Sequence, residues 1–169
     1  NWKKMKKMFN EYDNVRNPML GAYLLWSFVL GYFSEKNEAT PLEELFIVLP
    51  MTLKEDIAEQ IKSTNKTSGM RAMSDKFMKT DVLKNDLISN LHNDIQNMKD
   101  ITAMSLAEAV KAGLVSIDVE TNKIFPLELR KRNKESANVL RMGKNAEKLG
   151  QWCAVMDLMQ IEEILKVRF

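Results

Sequence analysis

The first helical pattern lies at the start of the chain. Trp2, Met5, Phe9 and Tyr12 are three or four residues apart, and lysines occupy most of the positions between them. Apolar residues at this spacing share one face of a helix. We therefore predict a basic amphipathic helix over residues 1–14.

The second pattern is an apolar helix that begins at Asn17 and Pro18. Asparagine is a favoured helix cap, and proline is tolerated in the first turn because its missing N–H needs no partner there. The sequence stays apolar on all sides as far as Phe33, which is typical of a central core helix. The stretch Met19–Phe33 is too short to cross a bilayer, so it is expected to be a buried helix and not a membrane span.

Capping boxes predict further helix starts, because each has a Ser or Thr followed three residues later by a Glu. The three boxes are Thr40 with Glu43, Thr52 with Glu55, and Ser105 with Glu108. The last helix is expected to stop at Gly113, a residue type common just past helix ends. Helices are predicted at about Leu53–Lys62, Met70–Phe77, Asp81–Asn97 and Ser105–Gly113, with an apolar run over Leu45–Leu49 that Pro50 ends and a loop over Ser63–Gly69.

After Gly113 the hydrophobic period changes from helical to alternating. Val115, Ile117 and Val119 alternate with polar residues, and an apolar pair resumes at Ile124 after a polar turn. This pattern indicates a β-hairpin at Leu114–Leu127. Helix, short helix and hairpin is the order of a winged helix, so a winged-helix-like part is predicted at about residues 81–127.

The C-terminal part returns to a helical spacing and then alternates again. Gly143 and Gly150 are possible kinks in that helix, and a closing strand is predicted at its far end. The helical series is Met142, Ala146, Leu149, Cys153 and Met156, and the alternating series is Leu165, Val167 and Phe169. The predicted fold is mainly α with a small β-hairpin (α+β), a winged-helix-like arrangement with an apolar core helix, in a single domain over residues 15–169.

Composition limits the classes of function. The formal net charge is only +2, from 25 Lys and Arg against 23 Asp and Glu, so no global field attracts nucleic acid or an anionic membrane. The single cysteine, Cys153, has no internal partner for a disulfide. A reducing, cytoplasmic setting is therefore expected.

Residues for common catalytic chemistry are scarce. No GxxxxGK[ST] phosphate-binding loop is present, and His92 is the only histidine, which excludes a multi-histidine metal site. A nucleophilic pair of Cys153 and His92 is conceivable, but a lone cysteine at core spacing more often serves packing. The residues Glu43 and Glu44 suit the first turn of a helix better than acid and base roles. We expect no enzymatic activity, no cofactor and no metal.

The N-terminal helix supplies the first candidate binding surface. Trp2, Met5, Met8 and Phe9 form an adaptable apolar face on a short segment. Docking to a partner protein is the leading interpretation. Packing against the protein's own core and contact with a membrane surface stay open.

A local basic stretch is the second candidate. It reaches from Arg130 to Lys148, where seven basic residues outnumber two acidic ones. A solvated helix face is the simplest interpretation, and contact with a nucleic-acid backbone or with an acidic partner stays open. The candidate contact residues are Arg130, Lys131, Arg132, Lys134 and Arg141, and Lys144 and Lys148 complete the seven.

Several short stretches follow one another in order from Asn17 to Trp152. They are Asn17-Pro18, Gly21-Ala22, Trp26-Ser27-Phe28 through Gly31-Tyr32, Pro41 through Pro50, Gly69-Met70-Arg71, and Ala146 through Trp152. In this order and spacing they resemble the middle component of bacterial three-component ABC systems, the group that includes the Lamassu anti-phage systems.

The resemblance implies a small accessory subunit that stands between an SMC-like ABC ATPase and an effector nuclease in a complex that defends bacteria against phage or plasmid DNA. The ATP site and the nuclease would belong to the partners, and contact with duplex DNA would be indirect or through its backbone. The family offers no catalytic residue to carry over, and Trp26, Phe46, Leu49 and Trp152 are expected in the core. The alternative function is a stand-alone winged-helix DNA-binding regulator.

Overall fold

The computed structural model describes residues 15–80, 82–129 and 135–169. The predicted N-terminal helix over 1–14 lies outside these residues. The helices are α1 (Pro18–Lys36), α2 (Val48–Leu53), α3 (Glu55–Ser63), α4 (Gly69–Thr80), α5 (Val82–Asn97), α6 (Lys99–Lys111), α7 (Ala137–Ala154) and α8 (Leu158–Leu165), with 3₁₀ helices at Leu42–Ile47 and Lys66–Ser68. The strands are β1 (Thr40–Pro41), β2 (Val115–Asp118) and β3 (Lys123–Pro126). The prediction of a mainly helical fold with a small β-hairpin is confirmed.

Helix α1 is the central core helix that the sequence predicts. The Asn17 side chain caps its start by accepting hydrogen bonds from the backbone N–H groups of Met19 and Leu20, at 3.0 and 3.2 Å. Asn37 ends the helix in the left-handed conformation, with φ of 53°. The helix is buried on most of its sides, so its apolar residues stabilise the fold by removal from water.

Helix α7 lies along α1 in the same chain direction, and glycines allow the two backbones to approach closely. A Cβ atom on Gly150 would lie 2.1 Å from the carbonyl oxygen of Phe28, and one on Gly31 would lie 2.0 Å from that of Glu147. Neither distance leaves room for a side chain. Gly143 and Gly150, which the sequence suggests as possible kinks, lie within one uninterrupted helix, where both face α1 at close range.

The β-hairpin is confirmed, and a third short strand joins it. The sheet is antiparallel in the order β1-β3-β2, with Thr40 opposite Ile124 and Val115 opposite Pro126. The capping box predicted at Thr40 is therefore wrong. Thr40 is paired in β1, and its buried hydroxyl has no hydrogen-bond partner among the described residues.

The other two predicted capping boxes are also wrong, because both hydroxyl residues lie inside helices. Thr52 belongs to α2, where its hydroxyl donates to the carbonyl oxygen of Val48 at 2.6 Å. Pro50 does not end the apolar run, since it occupies the first turn of α2, where a missing N–H has no cost. Ser105 lies in the middle of α6, against Gly21.

The C-terminal closing strand is wrong as well. Asp157 and Gln160 form a capping box that starts helix α8, and Leu165 ends that helix instead of entering a strand. Leu165 and Val167 are both buried, so their alternation reflects burial in the core. Among the described residues, none after α8 pairs with the sheet.

Helices α5 and α6 and the hairpin follow each other in the order that the sequence predicts. Leu91 and Ile95 of α5 are buried as expected, and the side chains of Leu83 and Leu87 lie outside the described part of the chain. A winged-helix arrangement beyond this order stays a prediction. None of the described helices has the length and apolar character needed to cross a membrane.

Candidate partner-binding site

A surface hollow of about 420 Å³ lies where the start of α4, the end of α7 and helix α8 meet. Its walls come from segments far apart in the sequence, so it exists only in the folded chain. The lining residues are Glu35, Lys66, Thr67, Ser68, Gly69, Met70, Arg71, Gln151, Trp152, Val155, Met156, Gln160 and Ile164.

The floor of the hollow is apolar and continuous with the hydrophobic core. Met70, Trp152 and Ile164 are at most 8% exposed, although each lines the hollow. The rim is apolar at Val155, which is 73% exposed. Met159 of α8, which is 77% exposed, lines a separate hollow together with Glu162, Glu163 and Lys166. Large exposed apolar side chains beside a hollow are typical of a binding surface.

The wall opposite Val155 is the loop between α3 and α4, and helix α7 holds this loop in place. The indole N–H of Trp152 donates to the carbonyl oxygen of Lys66 at 2.9 Å. One turn earlier, the Lys148 ammonium donates to three carbonyl oxygens, those of Ile61, Lys62 and Thr64, at 3.0, 3.2 and 3.0 Å.

Two of these acceptors, the carbonyl oxygens of Ile61 and Lys62, belong to the last turn of α3, where carbonyl groups lack the usual partners further along a helix. Burial is the main cause that lowers the pKa of Lys148, and the neighbouring charge of Lys76 acts in the same direction. Lys76 also donates to the Ser63 carbonyl oxygen at 3.1 Å and to the Thr64 hydroxyl oxygen at 2.9 Å. The loop wall of the hollow is therefore fixed before any partner arrives.

The electrostatic character of the rim is positive at the start of α4. Lys66 forms an ion pair with Glu35, which offsets both charges. Arg71 is exposed and has no ion-pair partner among the described residues. The first turn of α4 contains no acidic residue, so the positive end of the helix dipole is not offset from within that turn.

Most of the sequence-predicted contact residues lie outside the described part of the chain. This applies to the partner-binding residues Trp2, Met5, Met8 and Phe9 and to the basic residues Arg130, Lys131, Arg132 and Lys134. Arg141 is exposed on α7, where its guanidinium donates to the Asn138 side chain at 2.8 Å. Lys148 does not belong to an exposed basic patch, because its ammonium group is used inside the fold.

The two residues considered for catalysis, Cys153 and His92, have surroundings typical of residues that support the fold. Cys153 is fully buried, and burial raises the pKa of its thiol well above the ordinary value, which disfavours the reactive thiolate. The imidazole Nδ1 of His92 accepts a hydrogen bond from the backbone N–H of Arg168 at 3.4 Å. In residues 15–80, 82–129 and 135–169, no cluster of three or more His, Cys, Asp or Glu side chains is placed to hold a metal ion.

The sequence does not predict the hollow, although several of its residues stand out in the apolar pattern. The side chains of Trp152, Trp26 and Leu49 are buried in the core as expected, whereas Phe46 is half-buried against it. Met156 belongs to the same apolar series as Trp152's neighbours Leu149 and Cys153. Val155 has apolar residues three positions away on both sides, Trp152 and Leu158, so its exposure beside the hollow could be found only from the folded structure.

Comparison with known proteins identifies the family. No curated protein and no solved structure matches the chain. The family model for the ABC-three component (ABC-3C) system Middle Component 3 matches residues 5–169, which is nearly the whole chain. The chain therefore belongs to the family of ABC-three component system Middle Component 3 proteins.

Proposed function

We propose that this chain is a non-catalytic accessory subunit that bridges an SMC-like ABC ATPase and an effector nuclease in a cytoplasmic, Lamassu-type anti-phage or anti-plasmid defence complex. Membership of a middle-component family supports the general role, because a component of such a system has partner proteins. In this proposal, ATP hydrolysis and DNA cleavage reside in the partners. The scarcity of catalytic residue types in the sequence agrees with that division.

The observation that carries the proposal is the preformed hollow with its exposed apolar rim. Val155 at the rim exposes 73% of its surface to water in the isolated chain. Removal of such surface from water on binding is favourable, by about 25 cal/mol per Å². A subunit whose role is to hold other proteins needs such a surface, whereas a self-sufficient domain does not.

A bridging subunit can also act as a switch, under one condition. Its contacts with the ATPase or the effector must differ in free energy between the resting and the activated complex. A partner that binds both states equally well does not change the equilibrium between them. In our proposal the subunit contacts the ATPase head region and keeps the effector inactive until the ATPase engages DNA.

Co-purification tests the proposal directly. The tagged chain is expressed in its native host and isolated at moderate salt, and the bound proteins are identified by mass spectrometry. We expect a large coiled-coil ATPase and a second protein with nuclease character. Recovery of the chain alone, or only with nucleic acid, would contradict the bridging role.

The second candidate function is a stand-alone winged-helix DNA-binding regulator. The order of α5, α6 and the hairpin supports it, because the helix before the hairpin is then available for a DNA groove. However, charged exposed residues lie only at the two ends of α6, at Lys99, Asp100 and Lys111; the exposed residues between them are Ala103, Met104, Ala107 and Val110, which offer no charge to phosphates. That composition favours a protein partner.

Salt dependence distinguishes the two functions. If the isolated chain binds duplex DNA, its affinity should fall as the salt concentration rises. The logarithm of the binding constant plotted against the logarithm of the salt concentration should have a slope of about −0.9 per phosphate neutralised. Neutralisation of Arg130, Lys131 and Arg132 should abolish it if the regulator function is correct. Under the bridging function, the same variant keeps its protein partners.

A further inference from the structure

We infer that the hollow between α4, α7 and α8 binds a short polypeptide segment of a partner subunit that has a bulky apolar side chain next to one or more carboxylates. The inference rests on the proposed function and makes it more specific, since it assigns one surface and one chemistry to a partner contact.

The apolar half of the argument comes from the floor and the rim. Met70, Trp152 and Ile164 form a floor below a volume of about 420 Å³, which accommodates one or two large side chains. Val155 carries the apolar surface from the floor to the rim, where it is 73% exposed. An exposed apolar side chain at the rim suits a polypeptide, which covers a hollow and the surface beside it.

The acidic half of the argument comes from the wall at the start of α4. Arg71 lines the hollow as an exposed guanidinium, and the positive end of the α4 dipole points to the same region. A carboxylate placed there gains a charge-assisted hydrogen bond from Arg71, with the geometry that arginine and carboxylate share. A basic segment would instead meet the like charge of Arg71, while the charge of Lys66 is offset by Glu35.

The hollow is also organised in advance, which reduces the entropic cost of binding. Trp152 and Lys148 hold the loop that forms its wall through hydrogen bonds to Lys66, Ile61 and Thr64. Because the wall does not have to form on binding, its ordering costs the complex no affinity.

The first experiment measures how rim substitutions affect binding within the assembled system. The tagged full chain is co-expressed with the ABC ATPase and the third component of its own system, and the affinity for each is measured on the purified proteins. We expect Val155→Asp and Arg71→Glu each to weaken binding to one component about tenfold or more. The loss for Arg71→Glu should be larger at low salt, because screening reduces charge repulsion.

Matched controls separate a local effect from a general one. Val119→Asp changes a valine that is 80% exposed in the hairpin turn, and Glu120→Lys reverses the exposed charge next to it. Both should leave the affinity unchanged. All four positions are exposed, so the variants are expected to fold, and thermal unfolding of each purified chain checks this.

The second experiment identifies the bound segment. A photo-crosslinking amino acid, p-benzoylphenylalanine, replaces Val155 at the rim, and the crosslinked peptide is mapped by mass spectrometry. The expected peptide belongs to a partner subunit and contains Leu, Phe, Ile or Met beside Asp or Glu. A crosslink to a second copy of this chain, or to a segment without carboxylates, overturns the inference.

The outcomes also distinguish the inference from the proposed function. If both partners bind the wild type and all four variants equally, the bridging function stands and the hollow is not the contact. If neither partner binds the wild-type chain, that result contradicts both the bridging function and the inference. Loss confined to Val155→Asp and Arg71→Glu supports both.

Discussion

Gly150 of α7 lies directly against the backbone of Phe28 in α1, so that a Cβ atom at position 150 would be 2.1 Å from the Phe28 carbonyl oxygen. Real Cβ atoms do not approach an oxygen so closely. The same pair of helices meets again at Gly31, where a Cβ atom would lie 2.0 Å from the carbonyl oxygen of Glu147. These contacts fix the distance between the two helices that form the centre of the core.

We predict that Gly150→Ala destabilises the protein by about 3 kcal/mol, because the two backbones must separate and the packing between them is lost. In an exposed helix the same change would stabilise by about 1 kcal/mol, since alanine is the better helix former. The free energy of unfolding, measured by urea denaturation, checks the prediction. An unchanged or increased value would show that α1 and α7 are further apart than described.

Gly143→Ala provides a graded comparison on the same helix. A Cβ atom there would lie 2.6 Å from the Tyr23 hydroxyl oxygen, which is the far end of a half-buried side chain. A side chain can rotate away at lower cost than a backbone can move. The loss of stability for Gly143→Ala should therefore be clearly smaller than for Gly150→Ala.

A second prediction concerns Lys148, whose ammonium group caps the end of α3. We expect Lys148→Met to reduce the free energy of unfolding by about 2 kcal/mol, because three carbonyl oxygens lose a charged donor while the aliphatic packing is kept. Lys144→Met is the control, since Lys144 is exposed on the same helix. Equal stability of the two variants would contradict the capping role.

The same substitution links stability to the candidate site. Because Lys148 and Trp152 hold the loop wall, Lys148→Met should also increase the rate of amide hydrogen exchange at Thr67 and Ser68. Exchange in β2 and β3, far from this loop, should be unaffected. Uniform acceleration across the chain would indicate global destabilisation instead.

The sequence predicts those parts of the fold whose signals are local. Asn17 and Pro18 identify the start of α1, and Gly113, with φ of 69°, follows the end of α6 as expected. The hairpin is predictable because its strands alternate over several residues on both sides of a turn. In each case the residues that determine the element are neighbours in the chain.

The parts that the sequence does not predict depend on distant partners. Strand β1 has only two residues, which is too few to show alternation, and it exists because Thr40 pairs with Ile124. The hydroxyl-to-glutamate spacing at Ser105 is identical to a capping box, yet tertiary packing against Gly21 extends α6 through it. The hollow depends on contacts such as that between Lys148 and Ile61, 87 residues apart in the chain.

A third prediction follows from the contact of Ser105 with Gly21. The Ser105 hydroxyl is buried and has no hydrogen-bond partner among the described residues. Ser105→Ala removes this unsatisfied group, so the free energy of unfolding should stay the same or rise by up to about 1 kcal/mol. Ser105→Leu should be strongly destabilising, because its larger side chain has no space beside Gly21. Thermal unfolding of both variants checks that stability is kept or raised in Ser105→Ala and lowered in Ser105→Leu.

The last prediction concerns Glu44, which the sequence assigned together with Glu43 to a favourable helix start. In the structure Glu43 is exposed, whereas Glu44 is 2% exposed, and its Oε2 atom has no partner in the described part of the chain. Burial raises the pKa of Glu44 to about 8, with Lys36 opposing the rise and Glu43 adding to it. The folded protein thus holds this proton over a pH range in which the unfolded chain has released it.

Stability should therefore fall as the pH rises from about 4.5 to about 8, because the folded state binds more protons than the unfolded state in that window. The contribution of Glu44 to the slope is at most about 1.4 kcal/mol per pH unit. Glu44→Gln keeps the shape and removes the titration, so its stability should depend less on pH and exceed that of the wild type at pH 8.5. Urea unfolding at pH 5, 6.5 and 8.5 measures the difference, with Glu43→Gln as the exposed control that should follow the wild type. Parallel curves for the wild type and Glu44→Gln would mean that the Glu44 carboxyl is ionised in the folded protein throughout, with its charge stabilised by water or by a movement of the 3₁₀ helix.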